Sequence, residues 1–268
     1  MPAIQLARLK IQIAELVTHF DNPSSFVRRL HDLMDYYADR TRKPGQAGEP
    51  PPLITPFNVP RPVLRQVKND LVPYVSMDKE SALVLCDTLW EEPFLEFRLL
   101  AINLLGLIPF DHPDEVLDRI IAWGVPGTED RLLDVLVNEG LTQVRNDTPE
   151  RYITQLEEWL TAEDDFSRRI GLKAVSIMVS DRDFQNLPRL FRLLAPLVRS
   201  SPSQLRPDLL DVMRALAIRS PNEAAFFLRQ NLTVIVDDDS TAWLIRNSVR
   251  YFPEEVRSSL KTALREKT

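Results

Sequence analysis

Apolar residues along this chain recur at three- and four-residue intervals, and no segment holds the two-residue alternation of a half-buried strand. Leu99, Ile102 and Leu105 lie on one such stripe, and Leu132, Val135 and Leu136 on another. The pattern predicts an all-α protein of about fourteen helices. Starts are well marked. Asp21-Asn22-Pro23 opens a helix near 23–39, Asp147-Thr148-Pro149 opens one near 149–161, and Ser220-Pro221 opens another. In each, a capping side chain precedes a proline whose missing N–H costs nothing in a first turn. Residues 41–60 hold two glycines and six prolines. They predict a Pro/Gly-rich loop joining a helical hairpin (1–40) to a body of repeats (61–268).

The body repeats. From Pro93 the chain runs through Arg98, the small residue Ala101, the apolar pair Leu104-Leu105 and Gly106. This order resembles the second helix of a HEAT repeat. Related segments start at Arg131, Arg168 and Arg246, with a weaker copy near Asp208, at offsets of 33, 37, 40 and 38. A period of about 35–40 residues falls near the HEAT and armadillo range. The expected architecture is a HEAT-like α-solenoid of about six to seven helix pairs, each covering an apolar face its neighbour cannot cover alone. An irregular helical bundle is the alternative.

Composition narrows the chemistry. The net charge is −6, which disfavours a protein devoted to gripping phosphates. The charge is uneven, however. Residues 111–165 hold 15 acids against 4 bases, and residues 166–219 hold 10 bases against 4 acids. A local basic surface is compatible with that distribution. The single cysteine, Cys86, rules out an intramolecular disulfide and a cysteine-based zinc site, and His19, His31 and His112 lack ligand spacing. Neither metal nor cofactor is expected. No secretory leader and no apolar run of about 18 residues is evident, so a cytoplasmic protein with no membrane span is expected.

Leu89-Trp90-Glu91-Glu92-Pro93 with Glu96 and Ala101 resembles a signature of the AlkD-type alkylpurine DNA glycosylases, a family of HEAT-like solenoids. Val59 to Arg65 is similar to that family's early proline–arginine segment. Glu158-Trp159-Leu160 followed by Asp165 to Arg169 resembles its later tryptophan and arginine-pair segment. The order holds over roughly residues 55–230. The resemblance implies a concave groove cradling duplex DNA and removal of cationic alkylated purines without metal or cofactor. A carboxylate would stabilise an oxocarbenium-like sugar there, with aromatic faces stacked on sugar and base.

The family's site set is two tryptophans, an aspartate and an arginine, and this chain matches part of it. The aspartate falls on Asp134 and the arginine on Arg169. One tryptophan position holds Asp130, and the other falls at Asp211 or a neighbour. An acid in an aromatic's place would repel the phosphates of DNA. Asp134 reads either as the catalytic carboxylate or as a solvated helix acid. It aligns with Ala101 and Gly171, a packed position where an arginine partner such as Arg131 or Arg169 would be needed. Arg168, Arg169 and Lys173 read as phosphate or partner contacts, or as ion-pair partners of Glu163, Asp164 and Asp165. Three functions stand open. The first is a binding module that has lost base excision and takes duplex DNA or a protein in its concave groove. The second is a glycosylase using Asp134, with Trp123 or another residue as the aromatic. The third is a protein–protein scaffold.

Overall fold

The computed structural model describes residues 5–41, 54–109, 111, 113–182, 184–233 and 239–267. Among them the ordered elements are helical, with one isolated bridge between Thr55 and Phe94. The chain divides into two compact units, Met1–Pro149 and Glu150–Thr268. The first holds α1 (Leu6–Val17), α2 (Pro23–Tyr37), α3 (Arg61–Met77), α4 (Lys79–Glu91), α5 (Leu95–Leu105), α6 (Pro113–Trp123), α7 (Asp130–Glu139) and the short α8 (Thr142–Asp147). The second holds α9 (Pro149–Thr161), α10 (Asp165–Ser180), α11 (Leu187–Ser200), α12 (Arg206–Arg219), α13 (Pro221–Leu232), α14 (Ser240–Ser248) and α15 (Glu254–Lys267), with 3-10 turns at Ser203–Leu205 and Val249–Tyr251.

Of the three starts marked in the sequence, that of α2 is capped by a side chain, and Ser220 makes no side-chain cap bond to α13. The Asn22 side chain accepts from Ser25 N at 3.1 Å ahead of Pro23, and α9 and α13 start on Pro149 and Pro221. Two prolines nevertheless lie inside helices, Pro73 in α3 and Pro196 in α11. Both are solvent-exposed, so water can serve the carbonyl each leaves without its helical amide. Many prolines therefore do not mean only helix stops.

Packing follows a next-but-one rule within each unit. α1 packs on α3, α3 on α5 and α5 on α7, while α2 packs on α4. In the second unit α10 packs on α12 and α12 on α14, alongside α11 on α13 and α13 on α15. α5 shows why. Its buried set of Phe97, Leu100, Ala101, Ile102, Leu104 and Leu105 extends around most of the helix, so α3, α4 and α7 are all needed to keep it from water.

Two details fix the first unit. The buried carboxylate of Glu96 accepts from Phe57 N at 2.9 Å and Val59 N at 3.2 Å, strapping the segment before α3 onto the start of α5. Leu95 N reinforces the strap by donating to Thr55 O at 3.1 Å. Of the Pro/Gly-rich stretch 41–60, residues 42–53 lie outside the described residues. At the other end of α5, Gly106 meets the backbone of α7, and a Cβ there would sit 1.9 Å from Glu139 O.

Gly106→Ala is expected to destabilise the protein by about 3 kcal/mol, because the obstacle is a main-chain carbonyl that cannot rotate away. Gly127, with φ +99° and open space around it, is the control. Its alanine variant should cost only about 1–2 kcal/mol of backbone strain. Urea midpoints at unchanged m-value measure both.

Candidate functional site

The second unit gathers the arginines that the sequence singled out. The α9–α10 turn is built by Asp164, whose side chain accepts from Ser167 N at 2.7 Å; those contacts hold its carboxyl below the usual aspartate range. Arg168 then reaches back. Its Nε donates to Ala162 O at 2.6 Å, just past the end of α9, and its Nη1 lies 3.4 Å from Asp165 Oδ1. Arg98 does the same in the first unit, donating from Nε to Glu92 O at 3.1 Å beyond the end of α4. Both arginines span six residues to close the turn between two helices and answer a carbonyl that the first helix leaves open.

Arg169 points elsewhere. It shares a face of α10 with Lys173, one turn on, and both face the first turn of α12. Arg169 Nε lies 3.2 Å from Asp208 Oδ2, and Lys173 Nζ lies 3.5 Å from Asp208 Oδ1. The Asp208 side chain is 5% exposed, against 28% for Arg169 and 14% for Lys173. Burial raises the Asp208 carboxyl above its ordinary value of 3.8, although Lys173 and Arg169 pull it down and the net effect is upward. Its Oδ2 is close enough to Arg169 for ion pairing but makes no aligned hydrogen bond. The cluster is thus two cations around a carboxylate that its surroundings hold at a desolvation cost.

Asp134 and Arg131 belong to the first unit, on α7. Both are exposed, three residues apart on one side of the helix. The buried residues of α7 are Leu132, Leu133, Leu136 and Val137. With Gly140, also buried, they match the buried Glu96, Phe97, Leu100, Ala101 and Leu104 of α5 at an offset of 36, not 33. Asp134 is therefore not at the packed small-residue position of Ala101. It lies on the solvent side, where burial makes no demand for a compensating arginine.

A family model described as "DNA alkylation repair enzyme" matches residues 55–252. The chain belongs to that DNA alkylation repair family. No curated protein matches it. The family match starts at Thr55, which anchors the Glu96 strap, and ends at buried Phe252, so it takes in α3 to α14.

In this family member the tryptophans are occupied internally. Trp123 is 6% exposed and stacks on Trp90 with ring centroids 4.6 Å apart and planes 7° from parallel. Arg98 covers Trp90 at 5.1 Å. Trp159 is 3% exposed, and Arg206 lies over Trp243 at 4.2 Å. Trp123 therefore has no open face for a base. Cys86 is fully buried, and burial drives its thiol well above the ordinary value, so it is not a nucleophile at neutral pH. Among the described residues no group of three His, Cys, Asp or Glu is arranged to hold a metal, and no helix is long and apolar enough to cross a membrane.

Sequence reading offered Arg169 and Lys173 either as phosphate or partner contacts or as ion-pair partners of acids in the α9–α10 turn. One partner that it did not name, Asp208, is 39 residues after Arg169. The signal that could have found it is the repeat itself, since residues about one period apart sit on helices that pack next but one.

The raised carboxyl makes a pH prediction. Just above the ordinary aspartate range the native state holds the Asp208 proton more tightly than the unfolded chain does. Stability therefore falls as pH rises through that window. Urea unfolding of the parent and of Asp208→Asn between about pH 4 and 7 should show this slope in the parent only.

Proposed function

We propose that this protein is a HEAT-like repeat module of the DNA alkylation repair family that binds duplex DNA through the concave side of its helix stack without excising bases. The next-but-one packing in each unit supports the repeat architecture. Family membership supports DNA as the ligand. The observation that carries the loss of excision is the ion cluster on α10 and α12. Arg169, the arginine that the resemblance assigns to the family's site, is paired with a buried aspartate. Asp130, and Asp211 or a neighbour, where the resemblance places the family's tryptophans, add to that reading. A bound phosphate must compete with Asp208 for Arg169 and Lys173, so binding is weak and sensitive to that carboxylate.

The decisive assay is release of 7-methylguanine from alkylated duplex DNA. No release above the protein-free control is expected. Release that disappears in Asp134→Asn would instead establish base excision. That second reading is favoured by one observation, the exposure of Asp134 beside Arg131 on α7.

Duplex binding tests the positive half. Asp208→Asn should tighten duplex DNA binding and steepen the dependence of log K on log salt by about 1–2, the contribution of one or two added phosphate contacts. Arg169→Ala and Lys173→Ala should remove the gain. Arg168→Ala should lower stability and leave the salt slope alone, since Arg168 closes the α9–α10 turn. An unchanged affinity in Asp208→Asn would end the idea that this cluster gates DNA.

A further inference from the structure

A separate surface of the second unit is not used by any of this. α11 and α13 lie side by side, and between them runs an open groove of about 920 Å³. Its floor is apolar. Phe191 and Phe227 stack with centroids 4.8 Å apart, and Phe226 is 55% exposed. Along the α11 rim stand Arg192 and Arg199, seven residues apart, which is two helical turns or about 10 Å. Among the described residues neither arginine has an ion pair or hydrogen bond. This sets them apart from Arg189 on the same helix, which pairs with Glu150 at 3.0 Å.

We propose that this groove docks an amphipathic helix of a protein partner, one whose apolar face carries acidic residues seven apart along one edge. Apolar side chains of the partner fill the groove over Phe226 and Phe191, in the helix-in-groove mode. Its two carboxylates meet Arg192 and Arg199, whose spacing matches two turns of the incoming helix. Single-stranded nucleic acid also combines aromatics with arginines, but it needs open ring faces. Phe227 is 6% exposed and stacked on Phe191, so these two rings face each other rather than a base. The apolar floor with cations on one rim therefore fits an acidic peptide better. The cluster on α10 and α12 lies on other helices, so this site stands or falls independently of DNA binding.

The test is selection of a displayed library of random peptides of about sixteen residues, long enough for four helical turns. The bait is the full chain, with counter-selection on Arg192→Glu/Arg199→Glu. Recovered peptides should carry Asp or Glu seven apart beside apolar residues at helical spacing. By fluorescence anisotropy their binding should drop at least about tenfold in the double variant and in Phe226→Ser, and weaken as salt rises. All three substitutions are at the surface, and unchanged thermal melting checks the fold; Arg192→Ala/Arg199→Ala serves as the milder pair. The proposal is overturned if no peptide is enriched, if the enriched peptides lack acids, or if they bind the double variant equally well. Labelled oligo-dT that binds the parent and is lost in the same variants would overturn it in favour of single-stranded nucleic acid.

Discussion

The apolar face of one helix pair cannot be hidden by that pair alone, and the structure follows from this. α5 needs α3 on one side and α7 on the other; α12 needs α10 and α14. The sites of closest approach are set by that demand. Gly106 brings the end of α5 against the main chain of α7, and Gly171 admits α9, where a Cβ would come within 3.1 Å of Trp159 and Leu160 atoms. Buried polar groups can fasten this stacking. Glu96 does so by accepting two backbone amides, at 2.9 and 3.2 Å. The signature acid shared with the DNA alkylation repair family is thus a structural strap in this chain.

Asp208 is the exception that carries functional meaning. A carboxylate in a helix's first turn gains from the helix dipole, and two cations stand close to it. Its burial still outweighs that help, since its carboxyl is held above the ordinary aspartate value. A group that the fold keeps at a cost, facing an arginine and a lysine, is a weak competitor for those cations. Under the proposed function a phosphate, with more oxygens to offer, would compete with it for those cations. On that reading Arg169 is held by Asp208 in the free protein and recoverable for binding.

Much of the fold was legible in the residues, and the parts that were not have specific causes. Asn22-Pro23, Thr148-Pro149 and Ser220-Pro221 mark helix starts because capping and proline chemistry are local. The register of α7 was not legible. Arg131 suggested an offset of 33, whereas burial sets it at 36, because an arginine can be aligned by identity while only packing decides which side faces inward. That slip aligned Asp134 with the packed position of Ala101, whereas it is exposed, as the reading of it as a solvated helix acid expects. Trp123, offered as the aromatic of a glycosylase site, is buried with Trp90 stacked on it, a contact between α4 and α6 that no spacing rule predicts. The partner of Arg169 lay one repeat away for the same reason.

The arginine pair Arg168-Arg169 shows how adjacent residues divide structural and functional work. Successive residues on a helix are turned by about 100°, so neighbours in sequence cannot share a target. Arg168 occupies the position of Arg98, and both close a turn by donating to a carbonyl six residues back. That role recurs in these two hairpins. The next position is free of it: in α5 it is Leu99, and in α10 it is Arg169, aimed at the adjacent helix of the stack. The scaffold therefore fixes the first arginine and leaves the second to pair with Asp208, the contact that a phosphate would have to replace under the proposed function.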